Sequence, residues 1–207
     1  MPDPLDRTDS ELVEDHLAGD DMAFRHLIER YHEPLIRFLY RLVGNREAAQ
    51  DVFQDTFLQI HQSLEGFDRT RPFKPWLFTI AANKGRDAMR RAQRRFALSI
   101  SPRDDDDGPT IDLADIRLPG PETGLSAQEK SEMVQRAIDR MSPRLREILL
   151  LAYFQRLTYA QIAEAYGVPI GTVKSRLHAA VASFADHWKA VARSSFEAGG
   201  ETGEHPV

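Results

Sequence analysis

The chain has 207 residues, no cysteine and a formal net charge of -5, with 42% hydrophobic and 29% charged residues. This length allows one or two domains, and the lack of cysteine excludes disulfide bonds and thiolate metal sites. No apolar run is long enough to cross a bilayer, and the acidic N-terminal segment does not have the layout of a signal peptide. We therefore expect a cytoplasmic protein that does not insert directly into a membrane.

The charges are segregated along the chain, so the net charge hides strong local fields. Residues 69–103 contain ten basic side chains and one acidic one, whereas residues 104–132 contain nine acidic and two basic ones. Basic residues again exceed acidic ones between 142 and 193. A polyanion would therefore meet two basic segments that flank an acidic one.

The N-terminal part predicts helices, because apolar residues recur at helical spacing in segments 20–43, 46–64 and 73–95. Pro34 interrupts the first segment and predicts a kink or a new helix start there. In the third segment we expect Phe73, Trp76 and Phe78 to be core residues rather than a platform for stacked bases. No stretch shows the alternation typical of a strand.

Segment 97–126 divides the chain into two parts. It combines turn-forming residues with the Asp run 104–107 and has no sustained periodicity, which predicts an acidic flexible linker. We therefore expect an all-α protein with two small helical domains, at 1–96 and 127–193. The remaining residues, 194–207, are predicted to be a disordered tail.

The second domain has clear helix boundary signals. Ser142 followed by Pro143 predicts a capped helix start. Thr158 and Gln161 fit a capping box at the start of another helix. That helix is short, because Gly167 suits the left-handed residue that ends a helix.

A longer helix is predicted to begin near Pro169 or Ile170 and to run to about Ala190. Together with the short helix and the tight turn it forms a helix-turn-helix, whose outward face is polar and basic where major-groove contacts concentrate. A structural three-helix bundle with a solvated face is the alternative. The candidate DNA contacts are Thr158, Gly171, Thr172, Lys174, Ser175, Arg176 and His178.

The basic helix at 73–95 is a second candidate for nucleic-acid binding. Guanidinium and ammonium groups follow phosphates and aromatic rings stack on unpaired bases, while Asn83 can bond a base edge. A merely solvated face normally mixes charges of both signs, and the end of this helix does not. The candidate residues are Asn83, Lys84, Arg86, Arg90, Arg91 and Arg94.

The helix at 46–64 has a second face on which Asp51, Gln54, Asp55 and Leu58 recur one helical turn apart. The two aspartates suit a metal or an acid–base pair, but no further ligands converge on them in the sequence. A partner-binding surface or a solvated face is therefore favoured. Because a phosphate loop and a nucleophile elbow are also lacking, we expect no enzymatic activity, no cofactor and no metal.

Three motifs resemble the extracytoplasmic-function group of bacterial sigma-70 family sigma factors. They read DVFQDTFLQI at 51–60, FKPWLFTIAAN at 73–83 and LTYAQIAEAYGVPIGTVKSRLH at 157–178. The resemblance implies sigma region 2 in the first domain and sigma region 4 in the second. It implies an initiation factor that binds core RNA polymerase and directs it to specific promoters.

The resemblance also implies a role for each candidate surface. The face with Asp51, Gln54, Asp55 and Leu58 would dock on the clamp helices of the polymerase β′ subunit. Asn83 and the basic residues after it would read the −10 element as single strand, and the helix from Ile170 would read the −35 element in the major groove. An anti-sigma protein, often at the inner membrane, is implied as a regulator. The alternatives are a stand-alone helix-turn-helix regulator and a metal-dependent nuclease.

The chain departs from the family pattern at Ala48 and Gln50, where acids are usual, at His61, where Trp is common, after His178, and in the acidic run 104–107. After His178 the usual Arg-Ala-Arg is replaced by Ala179, Ala180 and Val181, which removes phosphate contacts. Core polymerase is therefore expected to supply much of the DNA affinity. The acidic run 104–107 is expected either to lie along the RNA-exit path of the polymerase or to mask the basic segments of the free protein.

Overall fold

The computed structural model describes residues 7–97 and 126–200. These residues form eight α-helices and contain no β-strand, which confirms the all-α prediction. None of the described helices is long and apolar enough to span a membrane. The Asp run 104–107 and the possible roles predicted for it lie outside the described residues.

The N-terminal domain, which the resemblance assigns to region 2, contains four helices. Asp20 and Asn45 cap the second and third by accepting hydrogen bonds from the Met22 and Ala48 amides. Pro34 lies inside the second helix, which continues through it without a new start. Gly44 (φ 74°) ends that helix in the left-handed conformation. The helices are α1 (Asp9–Leu17), α2 (Asp21–Val43), α3 (Arg46–Ser63) and α4 (Phe73–Ala97), with a 3-10 turn at Leu64–Gly66.

The core of region 2 is rich in aromatic side chains. Phe38, Phe73 and Phe78 are fully buried, and the rings of Phe38 and Phe78 meet edge to face at 5.3 Å between centroids. Phe73 and Phe78 are therefore core residues, as predicted. Trp76 is half-buried and lies against Phe67, with the two ring centroids 4.4 Å apart.

The C-terminal domain, which the resemblance assigns to region 4, contains the helix-turn-helix. Thr158 and Gln161 form the predicted capping box, and Gly167 (φ 61°) ends the short helix as predicted. The Ser142 side chain makes no capping hydrogen bond, contrary to expectation. Its carbonyl accepts from the Arg146 amide instead, at 2.9 Å. The helices are α5 (Ala127–Asp139), α6 (Pro143–Leu149), α7 (Tyr159–Tyr166) and α8 (Ile170–Gly200), with a π turn at Leu150–Phe154.

Helix α8 is longer than the sequence suggests, because it passes the expected end at Ala190 and continues to Gly200. The first residues of the predicted disordered tail, 194–200, are therefore helical. Packing of α8 along α5 and α6 accounts for the helix as far as Val191. Phe184 and Val191 are buried, and Phe184 stacks on Trp188 at 6.1 Å between ring centroids.

The two domains pack against each other in this structure. Helices α2 and α4 of region 2 contact α5, α6, α7 and the π turn of region 4. The surfaces of both domains that the sequence assigns to nucleic acid are thereby brought close together.

Candidate nucleic-acid and polymerase interfaces

The predicted docking face lies on the outer side of α3. Asp51, Gln54, Asp55 and Leu58 are all exposed there, while Val52, Thr56, Phe57 and Ile60 of the same helix point into the core. Leu58 is 57% exposed, which is high for a leucine. The structure therefore brings the four residues together as one surface with an apolar side chain among polar ones. The described residues hold no group of three or more side chains able to bind a metal.

The predicted −10 residues lie along α4, and most of them are free to meet a ligand. Asn83, Arg90, Arg91 and Arg94 are exposed, and Lys84 is half-buried. The guanidinium of Arg94 also donates to the Arg90 carbonyl at 3.4 Å. A strip of positive charge thus follows the second half of α4.

Arg86 is the exception, because a carboxylate of region 4 already binds it. Its Nε and Nη2 atoms donate to the two carboxylate oxygens of Glu147, at 2.9 and 2.5 Å. The hydroxyl of Tyr166 donates to the same carboxylate, and the Arg86 guanidinium lies 5.8 Å from the Tyr166 ring centroid. The side chain of Glu147 is only 4% exposed.

The electrostatics of this cluster follow from its geometry. The hydrogen bonds from Arg86 to Glu147 raise the pKa of the guanidinium, so it stays charged. Burial is the main cause that raises the pKa of Tyr166, and the negative charge of Glu147 adds to it. The tyrosine therefore remains a neutral donor.

The predicted −35 residues gather at the N-terminal end of α8. Gly171, Lys174 and Ser175 are exposed, whereas Thr172, Arg176 and His178 are half-buried. A Cβ atom at Gly171 would meet nothing within 4 Å, so packing does not require a glycine there. Thr158 is exposed, but its hydroxyl is engaged as the N-cap of α7.

The replacements after His178 have unequal consequences. Ala180 is fully buried, so no side chain at that position faces DNA. Ala179 and Val181 are half-buried, and these are the two positions where the family pattern has arginine. The loss of basic side chains is therefore confined to these two sites.

A cleft of about 850 Å³ separates α4 from the helix-turn-helix. Arg86 and Arg90 line it from region 2, and Arg176 lines it from α8. Two of the −10 candidates and one of the −35 candidates thus face the same cleft.

Sequence reasoning missed Glu147, Tyr166 and Arg146 as residues of the domain contact. Arg146 donates to the Leu42 carbonyl at 2.8 Å and to the Asp139 carbonyl at 2.8 Å, so it caps the ends of α2 and α5. A signal was present, because Arg146 and Glu147 stand within an apolar run of α6. Charged residues there need buried partners, but the sequence does not say which.

Two family models match the chain. Sigma-70 region 2 matches residues 27–95, which lie in the first domain. Sigma-70 region 4 matches residues 131–183, which contain the helix-turn-helix. The fold and its two matched regions define the class as a two-domain sigma-70 type transcription initiation factor.

Relatives of known function are similar in sequence over most of the chain. The extracytoplasmic-function sigma factor SigW of Bacillus subtilis is 30% identical over 77% of this chain and 86% of its own length. SigM of Mycobacterium tuberculosis is 33% identical over 83% of this chain and 80% of its own. The sigma-H factor of Pseudomonas aeruginosa is 31% identical over 82% and 88%, respectively.

The chain therefore belongs to the extracytoplasmic-function group of the sigma-70 family. It is an alternative sigma factor, which binds core RNA polymerase and directs it to promoters. Sigma factors are transcription initiation factors rather than enzymes.

Solved structures share the fold. CnrH in complex with the cytosolic domain of CnrY matches with a TM-score of 0.64 and 23% identity, over 88% of this chain and 97% of that one. The sigma factor RpoE of Bartonella quintana, in complex with the anti-sigma factor NepR, matches with a TM-score of 0.59 and 26% identity. That likeness covers 80% of this chain and 96% of the other.

Proposed function

We propose that three separate surfaces of this sigma factor divide the work of initiation. The α3 face docks on core polymerase, the basic strip of α4 reads the −10 element as single strand, and the start of α8 reads the −35 element. The observation that carries this division is the exposure of most candidate residues on three helices whose opposite faces form the cores.

The α3 face has the composition of a small docking site. Leu58 provides apolar area that water leaves on binding, and Asp51, Gln54 and Asp55 surround it with groups that form directional contacts. Protein interfaces commonly combine an apolar centre with a polar rim. The clamp helices of the β′ subunit are the proposed partner, and basic side chains there would complement the two aspartates.

Helix α4 suits a melted strand better than a duplex. Arg90, Arg91 and Arg94 provide charge along one helix for successive phosphates, and their contribution is independent of sequence. Asn83 stands about two to three helical turns before them and carries both a donor and an acceptor for a base edge. We assign base recognition to Asn83, with a flipped base, and strand binding to the basic residues.

Helix α8 suits the major groove. Lys174 and Arg176 provide long basic side chains for guanine edges or phosphates, and Ser175 and Thr172 add hydroxyl groups. Gly171 allows the DNA backbone to approach the helix N-terminus closely. With no arginine at 179 and 181, this helix selects sequence, while core polymerase supplies much of the affinity.

We further propose that the protein acts in the cytoplasm, with no enzymatic activity, metal or cofactor of its own. An anti-sigma factor is its proposed regulator, and membrane anchorage of that regulator would link it to an external signal. The complex of RpoE with NepR, whose sigma factor is 26% identical to this chain, supports this proposal.

The decisive experiment is transcription in vitro with core polymerase on a library of genomic promoter fragments. We expect specific transcripts only when both proteins are present, with conserved sequence at −10 and −35 among the selected promoters. Asp55→Arg should lower core binding at least tenfold by placing a positive charge in the docking face. Glu65→Arg, at an exposed position outside that face, is the matched control. Unchanged core binding by Asp55→Arg would refute the docking assignment.

A further inference from the structure

The contact between the two domains is organised around one buried carboxylate. Glu147 of α6 binds the Arg86 guanidinium of α4 through both of its oxygens, and Tyr166 of α7 donates to it from the side. A bidentate pair of this kind is among the stronger polar contacts in proteins. Burial of Glu147 to 4% side-chain exposure protects the pair from water and salt.

Most of the other polar contacts between the domains, among the described residues, join a side chain to a backbone carbonyl. Arg146 donates to the Leu42 carbonyl at 2.8 Å, and Lys74 donates to the Gln155 carbonyl at 2.9 Å. Arg71 pairs with Glu164 at 3.2 Å, where both side chains are about half-exposed. Interfaces of this polar type between domains are generally reversible.

This arrangement conflicts with reading two promoter elements at once. Positions −10 and −35 lie about 25 base pairs apart, which corresponds to roughly 85 Å of duplex at 3.4 Å per pair. In the structure, Arg90 of α4 and Arg176 of α8 line one cleft of about 850 Å³. The two DNA-reading helices must therefore separate before both can reach their elements.

The conflict also involves one side chain, because Glu147 binds the Arg86 guanidinium, which a DNA phosphate would need. Carboxylates and phosphates both accept the paired donors of a guanidinium. While Arg86 is bound to Glu147, it is not available to a phosphate of the −10 strand. Closure of the domains and binding of nucleic acid thus compete for the same side chain.

We propose that Glu147, with Arg86 and Tyr166, forms a latch that holds the free protein in a closed, self-masking state. The proposal rests on the function assigned to α4 and α8 above. Opening the latch frees Arg86 and lets region 4 move away from α4. The latch acts through region 4 itself, independently of the acidic run 104–107.

Core polymerase is the proposed opener. A second cleft, of about 1010 Å³, lies among α2, α3 and α5, and its lining includes Asp51 and Gln54 of α3 as well as Ser131, Glu132 and Gln135 of α5. Helix α5 therefore stands beside one end of the α3 docking face. A polymerase element bound on that face would compete for space with α5 and favour the open state.

The first test compares DNA binding by free full-length variants. When the closed state dominates, apparent affinity is proportional to the open fraction, so weakening the latch tightens binding. We expect Glu147→Gln to bind a labelled random-sequence single-stranded 20-mer roughly tenfold more tightly, because a charged hydrogen bond is replaced by a neutral one. Tyr166→Phe, which keeps the charge and removes one donor, should give roughly a threefold gain.

Asp186→Asn is the matched control, because it removes one negative charge from an exposed position of region 4. Its affinity should stay within about twofold of the unaltered protein. Equal affinities of Glu147→Gln and Asp186→Asn would overturn the latch. If Glu147→Gln loses helical content, the comparison of Tyr166→Phe with Asp186→Asn decides the question instead.

The second test locks the closed state. The chain has no cysteine, so Arg71→Cys with Glu164→Cys can be joined selectively by a short crosslinker that reductant cleaves. We expect the joined protein to lose at least tenfold in promoter transcription with core polymerase and to recover after reduction. Equal transcription before and after reduction would refute the latch. Failure in both states would count against the sigma-factor function instead, and the DNA-binding comparison would still judge the latch.

Discussion

The two domains bury different kinds of polar side chain. In region 2 the buried threonines, Thr56 and Thr79, donate to carbonyls of their own helices, at 2.6 and 2.7 Å. In region 4 the buried polar residues whose burial the structure describes, Arg146, Glu147 and Gln155, all take part in contacts with the other domain. These contacts run from Arg146 to the Leu42 carbonyl, from Glu147 to Arg86 and from the Gln155 carbonyl to Lys74.

This difference shows which domain depends on the other. Region 2 has an aromatic core, and its two buried threonines are satisfied within their own helices. The buried charged residues of region 4 lie at the surface that meets region 2. Their environment therefore changes when the two domains separate. Each domain contains one of the two tryptophans, Trp76 and Trp188, which provides a separate fluorescence signal for each domain.

The largest expected effect comes from the region 2 core. Phe78 is fully buried, so Phe78→Ala should lower the free energy of unfolding by about 3–5 kcal/mol through lost burial and the cavity left behind. Urea unfolding followed by Trp76 fluorescence in a Trp188→Phe background measures it. Tyr40→Ala, at a 43% exposed site, should cost about 0.5 kcal/mol or less. A loss below about 1 kcal/mol for Phe78→Ala would contradict a self-sufficient region 2 core.

The next effect compares the two DNA-reading helices. Lys174→Ala on α8 should cost about 1–3 kcal/mol if this side chain contacts a base, and it should relax preference at one −35 position. Arg91→Ala on α4 should weaken binding evenly across −10 sequences and reduce the salt dependence by about one ion. Holoenzyme binding to promoter variants at several salt concentrations measures both. The assignment of base reading to α8 and phosphate binding to α4 would be refuted if Arg91→Ala alters sequence preference and Lys174→Ala does not.

The third prediction concerns the buried arginine that joins the domains. Arg146→Met should cost about 1–3 kcal/mol, because the carbonyls of Leu42 and Asp139 lose their donor. Trp188 fluorescence in a Trp76→Phe background should report this loss during urea unfolding. Arg136→Met removes an exposed arginine of α5 and should cost less than about 0.5 kcal/mol. Similar losses for the two variants would show that region 4 does not depend on the domain contact.

Local rules predicted the parts of region 4 that depend on nearby residues. The capping box of Thr158 and Gln161 closes within three residues, and Gly167 ends α7 through its own backbone conformation. Both are encoded in adjacent sequence, so both could be predicted. The exposed faces of α3, α4 and α8 followed from helical periodicity in the same way.

The domain contact could not be predicted, because its partners are distant in sequence. Arg86 and Glu147 are 61 residues apart, and periodicity showed only that each lies on a helix. The length of α8 was missed for a related reason, since Phe184 and Val191 are held by packing in region 4 rather than by a local stop signal. Long-range packing decided both features.

The smallest expected effect separates charged helix caps from neutral ones. Glu11 and Glu129 each accept hydrogen bonds from the backbone and hydroxyl of the residue that starts their helix, Thr8 and Ser126. The backbone hydrogen bond is the largest cause that lowers the pKa of each carboxyl below its ordinary value of 4.5. Region 2 and region 4 thus begin with the same pH-sensitive device.

The sign of the pH effect follows from the lowered pKa in the folded state. The caps contribute their full stabilisation above about pH 4.5, and they lose it as the pH falls through the folded pKa. Amide hydrogen exchange should therefore become faster in the first turns of α1 and α5 below that pH. The first turn of α7 provides the internal control, because its cap uses the neutral amide of Gln161. Glu11→Gln should make α1 respond to pH as α7 does, and equal acid sensitivity of all three helices would show that the carboxylates are not responsible.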